Sequence, residues 1–346
     1  MSLGQYSFAL TFLLLILGYW SFKKLNWLDK PHLYGYQRSP VPYGLGIVFF
    51  LNFLVLSLLY LELDPKLIAL LITAGVLTLT SFVDDRIKLS PLLRLAVQFG
   101  CAGLVVLAGI SVPAITNPFG DPFVLDSFQW VITWGNFELT IIPLAQIVAM
   151  MWIVFVINAM NWLDGAPGIV SGITSIACIV IYLLATMSDL HVIDQSTLTN
   201  LSLIIGASAF AFLFFDFPTP KVLMGDSGTM FLGLMIAVMA IFSGGKFATA
   251  FIVLAIPILD AGWTIVRRIL KKQSPWKGDF QHFHHELLRA GLSERQVNLF
   301  YFAVSMSFGY AALYLQSMGK LIAIVILFSL MVFVRTGLMY QKRKRA

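Results

Sequence analysis

The sequence predicts an all-α polytopic membrane protein of about eleven transmembrane helices, with ten as the alternative count, and three observations carry that prediction. The chain of 346 residues is 59% apolar and 12% charged, against roughly 45 to 50% and about 25% in soluble domains. Its apolar residues gather in runs near the ~20 residues a helix needs to cross hydrocarbon while satisfying its own backbone. Its clusters of polar residues fall in alternate gaps between those runs, which places the chemistry on one side.

The runs lie near 6–22, 43–61, 67–83, 92–112, 139–157, 168–187, 198–215, 228–243, 247–266, 299–316 and 320–338. The eighth is short, and only Ser243, Gly244, Gly245 and Lys246 separate it from the ninth, which is why ten spans stay open. With the N-terminus outside, the inner segments hold Lys23, Lys24, Lys30 and Arg38; Arg86, Lys88 and Arg94; Lys221; seven basic residues from Arg267 to Arg295; and five from Arg335 to Arg345. Only Lys66, Lys246 and Lys320 of the 23 Lys and Arg remain outside. Such a bias orients a membrane protein with its basic loops in the cytoplasm, and the alternation holds only for an odd count with a cytoplasmic C-terminus. The longest outer loop, about 113–138, carries Asp121, Asp126 and Glu138 and no Lys or Arg.

The net charge of +6 therefore points to lipid headgroups and phosphorylated substrates rather than to nucleic acid. The first run has no basic residue before it and Lys23 and Lys24 after it, unlike a cleaved signal peptide. Cys101 and Cys178 lie inside apolar runs without metal-type spacing and are expected to be small core residues. Residues 1–346 are expected to form a single integral membrane domain. Its active site would be built from cytoplasmic loops around 84–94, 158–168, 216–228 and 267–298.

Each polar cluster has a chemical and a plain reading. Asp84 and Asp85 close the third run; adjacent carboxylates at a helix end point at different partners, or are interfacial charges balanced by Arg86 and Lys88. Asn158, Asn161 and Asp164 recur every third residue at the end of the fifth run. A continuing helix would align them as one polar strip near the inner interface, offering amides to a uracil or sugar, or serving as capping and interhelical glue. Asp226 sits in Met224-Gly-Asp-Ser-Gly228, before the eighth run. Glycine-flanked amides at a helix N-terminus favour phosphate, so an Asp there either binds a cation shared with a pyrophosphate or caps the helix, alone or with Ser227. His282, His284 and His285 fall within four residues among basic neighbours. Phosphate contact suits them, and a zinc site would need further ligands.

Together, Asp84-Asp85, Asn158-x-x-Asn161-x-x-Asp164-Gly165, Met224-Gly-Asp226-Ser-Gly228 and Gln281-His282-x-His284-His285 resemble the polyprenyl-phosphate N-acetylhexosamine-1-phosphate transferases. The likeness runs in order from about residue 29 to 298 and includes Pro257-Ile-Leu-Asp260 followed by Arg267 and Arg268. The Gln-His-x-His-His form, with Leu287-Leu288 and Gly291-Leu292-Ser293 after it, looks like the WecA and TagO branch of the MraY/WecA superfamily. The chain departs from the family at Pro167, where a second Asp is common; at Asp216, where Asn is usual; at Tyr34, Gly35, Tyr36 and Gln37, where basic residues are common; and at Phe280, usually Arg.

The resemblance implies a Mg2+-dependent glycosyl-1-phosphate transferase in the cell inner (cytoplasmic) membrane. It would move a sugar-1-phosphate, most simply N-acetylglucosamine-1-phosphate, from a UDP-sugar to undecaprenyl or another polyprenyl phosphate, releasing UMP as the first membrane step of an envelope glycan such as lipopolysaccharide or teichoic acid. Asp84, Asp85, Asp164 and Asp226 are the expected catalytic residues, with Mg2+, or Mn2+ in its place, on Asp226 and Asp85. Asn158, Asn161, Asp216, Lys221, His282, His284 and His285 are expected to bind substrate. No nucleic acid is expected, and a homodimer stays open. The alternatives are a phospho-MurNAc-pentapeptide transferase, a transporter or channel, and an inactive lipid-binding homologue. Against a carrier stands the gathering of acids at inner helix ends rather than at the bilayer midplane, Asp260 excepted.

Overall fold

The computed structural model describes residues 2–31, 38–134, 137–187, 195–243, 247–272 and 282–345. Its helices are α1 (Leu3–Lys24), α2 (Ile47–Tyr60), α3 (Pro65–Ile87), α4 (Pro91–Leu107), α5 (Pro143–Leu163), α6 (Ile169–Thr186), α7 (Gln195–Asp216), α8 (Gly225–Phe242), α9 (Phe247–Val253), α10 (Ala255–Leu270), α11 (Phe283–Arg289), α12 (Glu294–Tyr314) and α13 (Ser317–Arg345). Each of the eleven apolar runs therefore contains a helix. Among the described residues, eight helices are long and apolar enough to cross a membrane, and α2 and α4 are shorter apolar helices. The chain is a predominantly helical polytopic membrane protein.

The sequence-based elements need three corrections. The ninth run is two helices, α9 and α10, because in one continuous helix the Pro257 ring would collide with the carbonyl of Val253. The fifth run starts as a helix only at Pro143, four residues later than the run itself. An all-α description also misses two antiparallel hairpins in the 113–141 segment, β1 (Ala114–Ile115) with β2 (Phe123–Val124) and β3 (Trp130–Trp134) with β4 (Phe137–Ile141). Their register sets Trp130 opposite Ile141 and Thr133 opposite Glu138. The β-branched and aromatic string Trp-Val-Ile-Thr-Trp suits a strand. Trp130, Val131 and Ile132 are all exposed, so neither face is core and the usual two-residue alternation is missing from the sequence.

The core is organised around α8. Every residue of this helix is buried except Asp226, and it packs against α2, α3, α5, α6, α7 and α9. Small residues make that possible: the backbones of Gly46 and Gly228 approach so closely that a Cβ on Gly228 would lie 2.9 Å from the Gly46 Cα. The chain before α8 is laced to the chain before α2, with Leu223 N–H donating to Pro42 O at 2.9 Å and Gly46 N–H to Met224 O at 2.9 Å. Polar contacts also join α1, α2 and α7, where Ser7 donates to Ile204 O at 2.6 Å and accepts from Asn52 Nδ2 at 2.9 Å. This scaffold brings the ends of α3, α5, α7 and α10 to the starts of α4, α6, α8 and α11.

Candidate active site

Asp84 and Asp85 are both buried in the last turn of α3. Successive helical residues project about 100° apart, and the two carboxylates accordingly serve different helices. Asp85 crosses to α8, its Oδ1 accepting from Asp226 N–H at 2.8 Å and its Oδ2 from Ser227 N–H at 3.3 Å. Neither Asp226 nor Ser227 caps α8; the acid of another helix does. Asp84 accepts from Leu89 N–H at 2.5 Å and pairs with Arg94 Nη1 at 3.0 Å.

Arg94, in the first turn of α4, uses its second nitrogen on Asp226, with Nη2 2.8 Å from Oδ2 of the carboxylate. The other oxygen of Asp226 accepts from Asn161 Nδ2 at 3.0 Å, and the same amide reaches Thr229 Oγ1 at 2.9 Å. Asp226 is thus held from two sides, with its side chain 21% exposed. Asn158, one turn earlier on α5, donates to Gln98 Oε1 of α4 at 2.6 Å instead. Asp164 ends α5 as its C-cap. Its carboxyl reaches water but is ringed by protein, and burial first, then the charges of Asp226 and Asp85, raises it to about 7.

The histidines gather around Asp260 and Gly165. His282 is the N-cap of α11; its Nδ1 lies 2.9 Å from Asp260 Oδ2, while Asp260 Oδ1 accepts from Phe283 N–H at 3.0 Å. The His282 ring centroid is 5.8 Å from that of Trp162, next to Asn161. His284 is fully buried against Gly165, and the His285 ring lies beside the same glycine. Burial, and then the basic neighbours His285, His282, Arg289 and Arg335, lowers the His284 pKa, so its ring is neutral. Asn298 of α12 donates to Pro167 O at 2.6 Å, tying a third element to the turn between α5 and α6.

Two expected substrate residues lie elsewhere. Asp216 is buried, and both its oxygens accept from the Ser171 hydroxyl at 3.0 Å. The Gly168 backbone is a further hydrogen-bond partner, so Asp216 serves the N-terminus of α6 as Asp85 serves α8. Lys221 stands exposed between α7 and α8, its amide donating to Phe215 O at 2.7 Å. Residues 34–37, Phe280 and Gln281 lie outside the described residues.

Sequence reasoning missed Arg94, Gln98 and Thr229 as members of the cluster. Arg94 had one signal, a lone cation opening an apolar helix ten residues after Asp84. Among the described residues, no group of three His, Cys, Asp or Glu has the arrangement of a metal centre, which leaves the zinc reading of the histidines without support.

A family model described as Glycosyl transferase family 4 matches residues 67–244, from α3 to the end of α8. The chain is 29% identical over 335 residues to a probable undecaprenyl-phosphate N-acetylglucosaminyl 1-phosphate transferase of Bacillus subtilis (strain 168), covering 93% of this chain and 87% of the relative. It is 26% identical over 284 residues to the undecaprenyl-phosphate alpha-N-acetylglucosaminyl 1-phosphate transferase of Escherichia coli (strain K12), covering 79% and 72%. A decaprenyl-phosphate N-acetylglucosaminephosphotransferase of Mycolicibacterium smegmatis is 28% identical over 302 residues, covering 78% and 70%.

Proposed function

Because the chain belongs to Glycosyl transferase family 4, we propose that it transfers N-acetylglucosamine-1-phosphate from UDP-N-acetylglucosamine to polyprenyl phosphate, releasing UMP at the cytoplasmic face of the cell inner membrane. The names of its relatives support the sugar and the lipid class. The observation that carries the chemistry is Asp226, the one unburied residue of α8, held between Arg94 and Asn161.

Both reactants are anionic, so alignment and charge neutralisation should supply most of the rate. Arg94 joins Asp84 to Asp226 and would meet the incoming phosphate as a fork of donors. The amides at the start of α8 add a positive helix end, with Asp85 orienting them. Asp84 is the candidate to orient the polyprenyl phosphate or take its proton, while Asn161 and Asp164 would hold the nucleotide-sugar. His285 and His282 border the Gly165 turn from the other side and would contact phosphates.

Mg2+ fits this donor set. The oxygens are hard, and the acids Asp84, Asp85, Asp164 and Asp226 outnumber Arg94 and Arg86, the guanidinium groups that neutralise them. Magnesium needs only one or two carboxylates when phosphates supply the rest. Asp226 would hold it through its exposed edge, with Asp85 behind, since each Asp85 oxygen keeps a second lone pair. Bound there, the ion would neutralise charge on the pyrophosphate.

The test is UMP release by detergent-purified protein given undecaprenyl phosphate, Mg2+ and single UDP-sugars. Lipid-dependent UMP from UDP-N-acetylglucosamine, lost with EDTA and in Asp226→Ala, is the expected result. Release from another UDP-sugar alone would change the donor, and no release by folded protein from any donor would overturn the reading.

A further inference from the structure

We propose that Arg335, near the inner end of the last helix, is a positioning residue that sets the ring of His282 through Asp260. The guanidinium is buried, 4% exposed, and bridges two other elements. Its Nη2 donates to Asp260 Oδ1 of α10 at 2.6 Å and its Nε to Glu286 Oε2 of α11 at 2.8 Å. Its guanidinium also lies 5.5 Å from the centre of the Phe283 ring.

Asp260 Oδ1 then has two donors, Arg335 and the Phe283 amide, and Oδ2 faces His282 Nδ1. A carboxylate pinned in this way leaves an acceptor for Nδ1–H, which selects that tautomer and presents Nε2 to the site. Topology does not require the arrangement: Lys342, Arg343, Lys344 and Arg345 already mark the inner end of α13. A guanidinium wanted only as an inner-side charge would remain in water, because burying an ion is costly unless well-placed partners offset it. The planar fork reaching both Asp260 and Glu286 is what lysine cannot reproduce.

The experiment has two arms, and only the first rests on the transferase reading. In the rate arm, Arg335→Lys should lower kcat/KM for the UDP-sugar by about 10- to 100-fold, and should add no further loss in a His282→Gln background. Additive losses in that cycle would show that Arg335 does not act through His282. In the second arm, 15N-histidine spectra of the full protein in detergent, assigned with His282→Gln, report the ring directly and need no substrate. His282 should be a single Nδ1–H tautomer in the parent and a mixture in Arg335→Lys; an unchanged single tautomer overturns the proposal even if no donor is ever found. Where Arg335→Lys does not fold, Glu286→Ala removes the acceptor of Nε and decides in both arms. Lys320→Met is the control: this buried cation of the same helix bonds Thr249 Oγ1 at 2.7 Å. It should lower the melting temperature and leave both readouts unchanged.

Discussion

The ring of His284 fills the space that a side chain on Gly165 would need. Two motifs 119 positions apart in the chain are thereby locked face to face, and the contact joins the acidic half of the site to the histidine half. Gly165→Ala should force His284 and His285 away from the turn. Overpacking of this kind costs about 1 to 3 kcal/mol, and a displacement near 1 Å lowers a positioned reaction by about 100-fold. UMP release by folded Gly165→Ala at the parent rate would show that the histidines do not act there.

Asp85 should prove to be the cap of α8. Asp85→Ala frees the amides of Asp226 and Ser227 and is expected to cost about 0.5 to 2 kcal/mol, with activity falling because Asp226 loses its anchor. Asp85→Asn restores one acceptor and part of the stability. Thermal unfolding in detergent decides, and equal melting of all three proteins would refute the cap.

Asp164 carries a pH signature. Its folded-state pKa is raised to about 7 by burial, then by Asp226 and Asp85, above about 3.9 in an unfolded chain. The folded state therefore binds this proton more tightly, so the stability it contributes is present at low pH and lost as pH rises from about 4 through about 7. Asp164→Asn should match the parent near the acid end of that window and exceed it in stability at the neutral end. Melting curves without divalent ions that stay parallel across the window would contradict this.

Ser171→Ala removes the hydroxyl that both Asp216 oxygens share. A loss of about 1 to 3 kcal/mol is expected for the group left unsatisfied, with kcat per folded molecule unchanged. A selective rise in KM for the UDP-sugar would instead return Asp216 to substrate binding.

Arg94 competes with any cation for Asp226. Arg94→Gln should lower the Mg2+ concentration giving half-maximal activity and, by removing a charged donor, lower kcat by roughly 100-fold. An unmoved Mg2+ titration would place the ion away from Asp226.

Much of the site was legible because its acids and histidines stand out against apolar sequence. Asp84, Asp226 and Asn161 were singled out by chemistry and spacing, and folding brings them together around one arginine. Their division of labour was not legible: that Asp85 caps α8 and Asp216 serves α6 depends on pairings between helices 141 and 45 residues apart. Arg94 and Arg335 looked like inner-side charges, because composition records the sign of a residue but not whether it turns inward. The strip of Asn158, Asn161 and Asp164 also divided, one amide going to Gln98 and the next to Asp226, since a three-residue spacing drifts around a helix of 3.6 residues per turn. Helices were legible from hydrophobic runs, whereas β3 was hidden by its lack of a buried face.

The burial of α8 bears on how the protein is made. A helix that meets almost no lipid in the finished fold is apolar enough to enter lipid on its own, so during synthesis it must first sit in the bilayer and then leave it for a socket. Most of that socket, α2, α3, α5, α6 and α7, precedes it in the chain, and α9 follows. Asp226 rides in on this post and meets Asp85, Arg94 and Asn161 only when the post is seated. Seating one helix therefore completes the acidic cluster in a single step, since these partners of Asp226 are already upstream in the chain.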